Sequence, residues 1–447
     1  MDEKNKSGLG VVVPELLLPR STVDMSKWAV VACDQHSSQP EYWEAASDLV
    51  KDAPSTLKII LPECYLEAPD IGGRIERIDD VMLQYLSSGV LQSVGQGLML
   101  VRREAAGRTR LGLVLALDLE QYDYSPDSQT PIRATEGTIV GRIPPRLAIR
   151  KDAALELPHV LALIDDPGHT VIAPLMERVG EPAYDFDLML GGGHITGYLL
   201  QKDADIAYVF SALEALVQRD TLNEKYGEGV APLLVAIGDG NHSVATAKAL
   251  WEDLKGALPE EALENHPARY CLVELVNVHD QGLIFESINR VLFDADNATL
   301  MPLLCDILSE ANGGCSITRV ASQSALFAQV EAQAGCEQHL LPFVDENGYG
   351  YFSVNAPAAQ LEVGTLQNAL DAVVKAMPGA RVDYIHGSDV VAQLGSKPGC
   401  LGFFLPKMDK TKLFPTIIYD GVLPRKTFSM GEANEKRYYL ECRKIVK

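Results

Sequence analysis

The sequence predicts an α+β fold whose core is a mixed sheet, with an additional α/β lobe. Strand-like and helical segments alternate with mixed spacing along the 447 residues. Two neighbouring apolar segments, residues 97–103 and 111–118, are typical of antiparallel strands of one sheet. Residues 234–238 form an apolar run of strand length, and apolar residues at helical spacing resume from Val244. Residues 298–376 predict the lobe, in the order helix, strand, helix, two strands and helix.

The remaining elements follow from the same periodicities. A helix is expected to open just after Pro40, because proline is tolerated in the first helical turn. Trp28, Trp43 and Trp251 occur among periodic apolar residues and are predicted to lie in the core. Further strands are predicted at residues 28–33, 57–61 and 158–164, and helices at residues 41–51, 74–86 and 204–218. The predicted domains are residues 1–297 (the α+β core), 298–376 (the lobe) and 377–447 (a segment returning to the core).

Composition limits the partners. The formal charge of -22 argues against nucleic acid or an anionic membrane surface, since either would repel such a protein. The N-terminal residues 1–6 lack a basic region, and the apolar stretch 11–18 is broken by Pro14 and Glu15, so it predicts neither a signal peptide nor a membrane span. We therefore expect a cytoplasmic protein; composition predicts no oligomeric state.

Several kinds of site are disfavoured by missing motifs. The eight cysteines include no Cys-x-x-Cys pair, and the nine histidines include no His-x-x-x-His, so free thiols and no transition-metal site are expected. The sequence also lacks a Gly-x-x-x-x-Gly-Lys-Ser/Thr loop, a Gly-x-Gly-x-x-Gly fingerprint and a Gly-x-Ser-x-Gly elbow. P-loop NTPases, Rossmann dinucleotide sites and typical α/β-hydrolases are therefore not predicted.

The most informative segment is residues 238–243, Gly-Asp-Gly-Asn-His-Ser, at the predicted strand-to-helix junction. The N-terminus of a helix carries partial positive charge, and Gly240 allows close approach of the backbone to a ligand. Asn241, His242 and Ser243 can donate hydrogen bonds to an anion such as phosphate, and Asp239 can bind Mg²⁺ or act as a base. His242 is also a candidate catalytic residue, because an unperturbed imidazole titrates near neutrality. The alternative is a simple turn followed by a serine helix cap.

Two further carboxylates are candidates for catalysis. Glu136 lies in a turn-rich stretch among arginines, where it could accept a proton or bind Mg²⁺. The alternative for Glu136 is a surface ion pair with one of those arginines. Asp34 follows a predicted buried strand and is a candidate catalytic residue, with a helix cap or turn as its alternative.

Four segments in order resemble a known family: residues 33–43, 133–138, 238–243 and 382–387. They resemble the bacterial and archaeal family named domain of unknown function 1015 (DUF1015), and the resemblance covers essentially the whole chain. The family's Asp-Gly-His-His-Arg segment is in turn similar to the phosphate-binding motif of the ParB and sulfiredoxin superfamily. That superfamily includes nucleotide hydrolases and an archaeal serine kinase, so the resemblance implies a ParB/sulfiredoxin-like segment in the core.

The resemblance can be carried over residue by residue in the central motif. Asp239, Gly240 and His242 match the family pattern, whereas Asn241 and Ser243 stand where a histidine and an arginine are common. An arginine holds phosphate through two charge-assisted hydrogen bonds, and a serine offers a single neutral one. Either the positive charge comes from another part of the chain, or the substitution argues against nucleotide binding.

Basic residues elsewhere are candidates to supply this charge. Arg290 matches an arginine in a similar family segment, and Arg425 with Lys426 lies in a segment that resembles the family's Pro-x-Lys-Ser/Thr segment. Arg146 follows Glu136 in the charge-rich stretch. We predict that these four residues contribute to phosphate or nucleotide binding.

Together the motif and the resemblance imply phosphoryl transfer from a nucleotide to a small hydroxylated metabolite, such as the amino acid serine, with ATP and Mg²⁺ as expected cofactors. Two alternatives remain open. The first alternative is a nucleotide- or metabolite-binding regulator without turnover. The second is a hydrolase or lyase that acts on a phosphorylated or carboxylated metabolite.

Overall fold

A computed structural model describes residues 8–37, 39–333 and 337–446, so the N-terminal hexapeptide and Cys336 lie outside the described residues. The chain divides into two compact units. The first comprises the residues up to Ile284 together with those from Met430 onwards, and the second comprises residues 285–429. The sequence predicts domain boundaries at residues 298 and 377 instead, and the three predicted domains (1–297, 298–376 and 377–447) stay a prediction.

The described elements, in chain order, are as follows. The helices are α1 (Met25–Trp28), α2 (Pro40–Val50), α3 (Ile71–Ser87), α4 (Ile143–Arg150), α5 (Asp203–Leu216), α6 (Arg219–Tyr226), α7 (Asn241–Lys255), α8 (Glu260–Leu263), α9 (Asn297–Asn312), α10 (Gln323–Ala332), α11 (Glu362–Ala376), α12 (Ser388–Gly395) and α13 (Leu413–Tyr419). The strands are β1 (Val11–Val12), β2 (Glu15–Pro19), β3 (Val30–Val31), β4 (Leu91–Gln96), β5 (Leu98–Ala105), β6 (Arg108–Asp118), β7 (Tyr122–Asp123), β8 (Ile132–Ala134), β9 (Leu155–Glu156), β10 (Leu161–Ile164), β11 (Tyr184–Leu188), β12 (Gly193–Leu200), β13 (Val235–Asp239), β14 (Tyr270–Asn277), β15 (Phe285–Ser287), β16 (Asn289–Phe293), β17 (Cys315–Val320), β18 (His339–Asp345), β19 (Gly348–Val354), β20 (Arg381–Ile385), β21 (Leu401–Phe403), β22 (Phe428–Met430), β23 (Tyr438–Tyr439) and β24 (Arg443–Lys444).

The first unit is built on a mixed sheet in the order β11-β12-β5-β6-β14-β10-β13-β8-β7, with β1 beside β6. Strand β14 runs antiparallel to β6 and parallel to β10, whereas β13 runs antiparallel to β10 and parallel to β8. Every residue of β14 is buried, which is typical of a central strand covered on both faces. The fold is therefore α+β with a mixed-sheet core, as the sequence predicts.

Most of the predicted elements of this unit are confirmed. Strands β5 and β6 pair antiparallel, α2 begins at Pro40, and the strand-to-helix junction is present as β13 and α7. Trp28, Trp43 and Trp251 are at most 2% exposed and lie in the core.

The prediction of a strand at residues 57–61 is wrong. Residues Thr56–Ile59 form a short 3-10 helix, because the Ser55 side chain accepts the backbone N–H of Leu57 and caps a turn. A five-residue run that is apolar except for Lys58 does not distinguish a strand from a buried turn, since both bury the apolar side chains.

The second unit contains an antiparallel six-stranded sheet in the order β17-β19-β18-β21-β16-β20. Its elements from α9 to α11 follow the predicted order of helix, strand, helix, two strands and helix. The prediction of an α/β lobe is confirmed by this order. Among the described residues of the whole chain, no helix combines the length and the apolarity needed to cross a bilayer.

Candidate functional site

A single glycine connects the strand to the helix at this junction. Strand β13 ends at Asp239 and helix α7 begins at Asn241, which leaves Gly240 alone between them. Its φ of +81° lies in the left-handed region, and a Cβ at this position would lie 2.9 Å from Val160 Cγ2. Backbone conformation and close packing therefore both require glycine here.

The side chain of Asn241 is used within the protein. Asn241 Oδ1 accepts the backbone N–H of Thr135 at 3.2 Å, and Asn241 Nδ2 donates to Thr135 Oγ1 at 3.1 Å. Thr135 Oγ1 donates in turn to the Ile237 carbonyl at 2.6 Å. His242 Nε2 accepts the backbone N–H of Ile139 at 3.2 Å. Asn241 and His242 thus attach the segment of residues 135–139 to the junction.

Lys436 brings a positive charge to the junction. Its Nζ donates to Asp239 Oδ2 at 2.9 Å, while Asp239 Oδ1 accepts the Gly240 N–H at 3.0 Å. The Lys436 side chain is only 9% exposed. The sequence reasoning missed Lys436, because residue 436 reaches residue 239 only through folding.

Asp34 is a second carboxylate, and it interacts electrostatically with Asp239. It is half-buried in the turn that follows β3. Burial raises the pKa of Asp34, and repulsion from Asp239 raises it further, against the opposing effects of His159 and Lys436. We call Asp34 and Asp239 the carboxylate pair.

The segment that carries Lys436 is held by a buried ionic network. Arg110 donates to the Glu435 carbonyl at 3.1 Å and contacts Glu274 at 3.3 Å. Glu274 Oε2 also lies 2.9 Å from Arg437 Nη1, and Arg437 pairs with Glu441. Burial alone would raise the pKa of Glu274, but Arg437 and Arg110 lower it below its ordinary value. These charges fix the backbone on both sides of Lys436.

A chain of hydrogen bonds connects the first turn of α7 to the turn after β3. Ser243 Oγ lies 2.8 Å from His159 Nε2, and His159 Nδ1 lies 3.1 Å from the Tyr439 hydroxyl. The Tyr439 hydroxyl donates to Cys33 Sγ at 3.0 Å and accepts the Cys33 N–H at 3.2 Å. Burial raises the pKa of Cys33 to about 12, so Cys33 is a neutral thiol rather than a nucleophilic thiolate.

This chain borders a cavity of about 150 Å³. Its polar lining includes Cys33, His159, Ser243 and Tyr439, together with the ion pair between Arg146 and Glu63. Most of the remaining wall is apolar and includes Ile60, Leu61, Leu66, Met82, Ile149, Ala153, Leu155 and Leu157. The cavity therefore combines an apolar wall with a cluster of hydrogen-bonding groups.

The other predicted site residues are distributed between the units. Glu136 is half-buried in the segment attached by Asn241 and His242. Arg290, Arg425 and Lys426 belong to the second unit, where Arg290 is fully buried. The Arg290 guanidinium donates to the carbonyls of Arg425 at 3.2 Å and Lys426 at 3.0 Å. The roles predicted for these residues stay predictions.

Candidate metal ligands are few among the residues that the structure describes. Across residues 8–37, 39–333 and 337–446, no group of three or more His, Cys, Asp or Glu side chains is arranged to hold a metal ion. The carboxylate pair offers two acidic side chains. Mg²⁺ is commonly held by one or two carboxylates together with substrate phosphates, so Asp34 and Asp239 are the side chains that could share such an ion with a bound phosphate.

The electrostatic coupling of the carboxylate pair can be measured. We expect Asp239→Asn to lower the pKa of Asp34, because the substitution removes a neighbouring negative charge and frees Lys436 from its partner. The contribution of Asp34 to the wild-type free energy of unfolding should fall as the pH rises between the ordinary Asp pKa and the raised one, since the folded state holds the Asp34 proton more tightly. In Asp239→Asn this fall should cover a narrower pH range.

Carboxyl NMR titration of Asp34 provides the readout for this prediction. Asp185→Asn is the matched control, because Asp185 lies exposed on β11 and bonds His194 and Thr196 instead. An Asp34 titration that is identical in wild type and Asp239→Asn would show that the two carboxylates are not coupled.

Comparison with known proteins gives one family match. The sequence matches the family described as "Protein of unknown function (DUF1015)" over residues 17–373. No curated protein matches the sequence.

Similar solved structures have low sequence identity to this chain. A free serine kinase in complex with AMP has a TM-score of 0.38 at 10% identity, and the match covers 74% of this chain and 92% of the kinase. A conserved hypothetical protein from Pyrococcus furiosus has a TM-score of 0.35 at 9% identity, with 74% and 95% covered. C-terminally truncated SbnI from Staphylococcus aureus has a TM-score of 0.36 at 8% identity, with 73% and 85% covered.

Proposed function

We propose a function for this chain from the geometry of its candidate site. The chain belongs to the family described as protein of unknown function (DUF1015). The protein binds a nucleotide and transfers its terminal phosphoryl group to a small hydroxylated metabolite. The acceptor oxygen would form the new P–O bond as the bond to the nucleoside diphosphate breaks, and a carboxylate, Glu136 or Asp239, would take the hydroxyl proton. The observation that carries the proposal is the placement of Lys436 on Asp239, immediately before the first turn of α7. A phosphate at this turn would meet both an ammonium group and a helix N-terminus.

The electrostatics of the junction favour an anion. A helix N-terminus carries partial positive charge, and α7 is fifteen residues long. A lysine ammonium has three donors, so Lys436 can bridge Asp239 and a phosphate oxygen. Ser243, which stands where the family commonly has arginine, is hydrogen-bonded to His159. Lys436 therefore supplies the charge that the substituted motif lacks.

The carboxylate pair completes the proposed phosphate site. Asp34 and Asp239 would hold Mg²⁺ together with the nucleotide phosphates, and a bound cation would offset the repulsion that raises the pKa of Asp34. When bound, Mg²⁺ neutralises charge that develops on the phosphate oxygens. The protein's own contribution is to position the phosphate through the first turn of α7 and Lys436, which is the main source of rate in phosphoryl transfer.

Incubation with ATP and Mg²⁺ tests the proposal. We expect ATP to raise the melting temperature, because a ligand at 100 times its Kd stabilises the folded state by about 2.7 kcal/mol. We also expect ADP release with at least one acceptor when amino acids, polyols and uncharged aliphatic alcohols are supplied one at a time.

The other outcomes identify the alternatives. Stabilisation without ADP release from any acceptor would favour a nucleotide-binding regulator, for which the substituted Asn241 and Ser243 are the supporting observation. Absence of stabilisation by ATP or ADP at millimolar concentration would contradict the proposal and leave the hydrolase or lyase.

A further inference from the structure

We infer that the 150 Å³ cavity beside α7 is the acceptor subsite of the transferase proposed above, on which this inference rests, and that it takes a small uncharged alcohol with an aliphatic body.

The size of the cavity limits the acceptor. A protein cavity of about 150 Å³ with an apolar lining accommodates a molecule as large as benzene, which has six non-hydrogen atoms. A nucleotide is several times larger and cannot be enclosed by this space. The cavity therefore suits the acceptor and not the phosphate donor.

The wall of the cavity selects against charged acceptors. Leu66, Met82 and Ala153 contribute apolar surface. The charged side chains that line the cavity are paired with one another, Arg146 with Glu63 and Arg150 with Glu156. An ionised acceptor would lose its hydration without gaining an unpaired countercharge, and such a loss is costly. A neutral body with aliphatic carbon avoids that cost.

The polar side of the cavity provides a place for one hydroxyl group. The Tyr439 hydroxyl donates its proton to Cys33 Sγ, which leaves its oxygen to accept from His159 Nδ1. In the neutral tautomer that carries its proton on Nδ1, His159 Nε2 accepts a hydrogen bond from the Ser243 hydroxyl group. An acceptor hydroxyl can join the same pair, because the Ser243 oxygen accepts as well as donates. One hydroxyl at this end and carbon elsewhere match the cavity lining.

The position of this polar side relates the cavity to the proposed phosphate site. Ser243 is the third residue of α7, and Asn241 is its first. Both residues lie on the turn whose N-terminus faces the phosphate in the proposed function. An acceptor hydroxyl held by Ser243 would thus lie within one helical turn of the transferred group.

The first experiment measures acceptor binding without nucleotide. Pentan-1-ol, with six non-hydrogen atoms, is the probe, L-serine is the polar comparison, and ligand-observed NMR of the full chain gives the Kd. We expect pentan-1-ol to bind more tightly than L-serine. We also expect Ala153→Met to weaken the binding of pentan-1-ol at least about tenfold, since the larger side chain would occupy the cavity.

The matched control for this variant is Ala154→Met. Ala154 is equally buried but does not line the cavity, so its variant should bind pentan-1-ol as wild type does. Tighter binding of L-serine than of pentan-1-ol would overturn the inference. An equal loss of affinity for pentan-1-ol in Ala153→Met and Ala154→Met would overturn it as well.

A second variant keeps the inference falsifiable if Ala153→Met does not fold. Leu66→Ala removes half-buried carbon from the wall and enlarges the cavity. We expect heptan-1-ol to gain affinity relative to pentan-1-ol by about tenfold in this variant. An unchanged ratio would overturn the assignment of the cavity.

Failure of the inference and failure of the proposed function give different results. Alcohol binding that follows these variants, together with no binding of ATP, would retain the subsite and reject the transferase. ATP binding and ADP release with an acceptor that is insensitive to Ala153→Met and Leu66→Ala would reject the subsite and retain the transferase.

Discussion

Replacing Lys436 with methionine is expected to weaken ATP binding about 100-fold. Methionine keeps an unbranched side chain of similar length, so the substitution removes mainly the ammonium group. A charge-assisted hydrogen bond contributes about 1.5 to 3 kcal/mol, and the variant loses the one that Lys436 would donate to the phosphate. A loss of about 2.7 kcal/mol corresponds to a 100-fold change in Kd. Isothermal titration with ATP and Mg²⁺ measures it.

The control for Lys436→Met is Lys444→Met. Lys444 is exposed on β24, in the same C-terminal segment, and takes no part in the junction. Its variant should bind ATP with the wild-type Kd. Wild-type affinity in a folded Lys436→Met variant would show that the ammonium group does not contact the nucleotide.

The second large effect concerns stability. Glu274→Gln is expected to lower the free energy of unfolding by about 3 to 5 kcal/mol, because it removes the countercharge of the buried Arg110 and leaves Arg437 with Glu441 as its remaining partner. Glu274 is fully buried, and it contacts Arg110 at 3.3 Å and Arg437 at 2.9 Å. Denaturant unfolding at neutral pH measures the loss. The same variant should weaken ATP binding, since this network fixes the backbone around Lys436.

Glu104→Gln is the matched control for the buried network. Glu104 pairs with Arg102, and each of these side chains is 40% exposed, so breaking the pair should cost less than about 1 kcal/mol. Because the pKa of Glu274 is lowered, its contribution to wild-type stability is present at neutral pH and lost as the pH falls through that pKa. Equal destabilisation by the two glutamine variants would contradict this account of the network.

Local features of the fold are accessible from the sequence. The β13–α7 junction and the order of elements from α9 to α11 depend on periodicity within each segment, and that periodicity is preserved in the fold. The error at residues 57–61 has a local cause as well, since the cap at Ser55 determines a turn where hydrophobicity alone indicates a strand.

The full set of residues that form the site was harder to predict from the sequence. Asp239, Gly240 and Ser243 were recognisable because they occur together at the end of a strand. Lys436 and His159 reach them from distant parts of the chain, 197 residues from Asp239 and 84 residues from Ser243. No local pattern distinguishes a buried lysine from an exposed one, because its burial is a property of the folded chain.

The most direct test of the central claim is a crystal structure of the protein with a non-hydrolysable ATP analogue and Mg²⁺. The account predicts that the terminal phosphate lies on the first turn of α7, with an oxygen within hydrogen-bond distance of Lys436 Nζ. A terminal phosphate bound elsewhere, with the Lys436–Asp239 pair unchanged and out of contact, would contradict it.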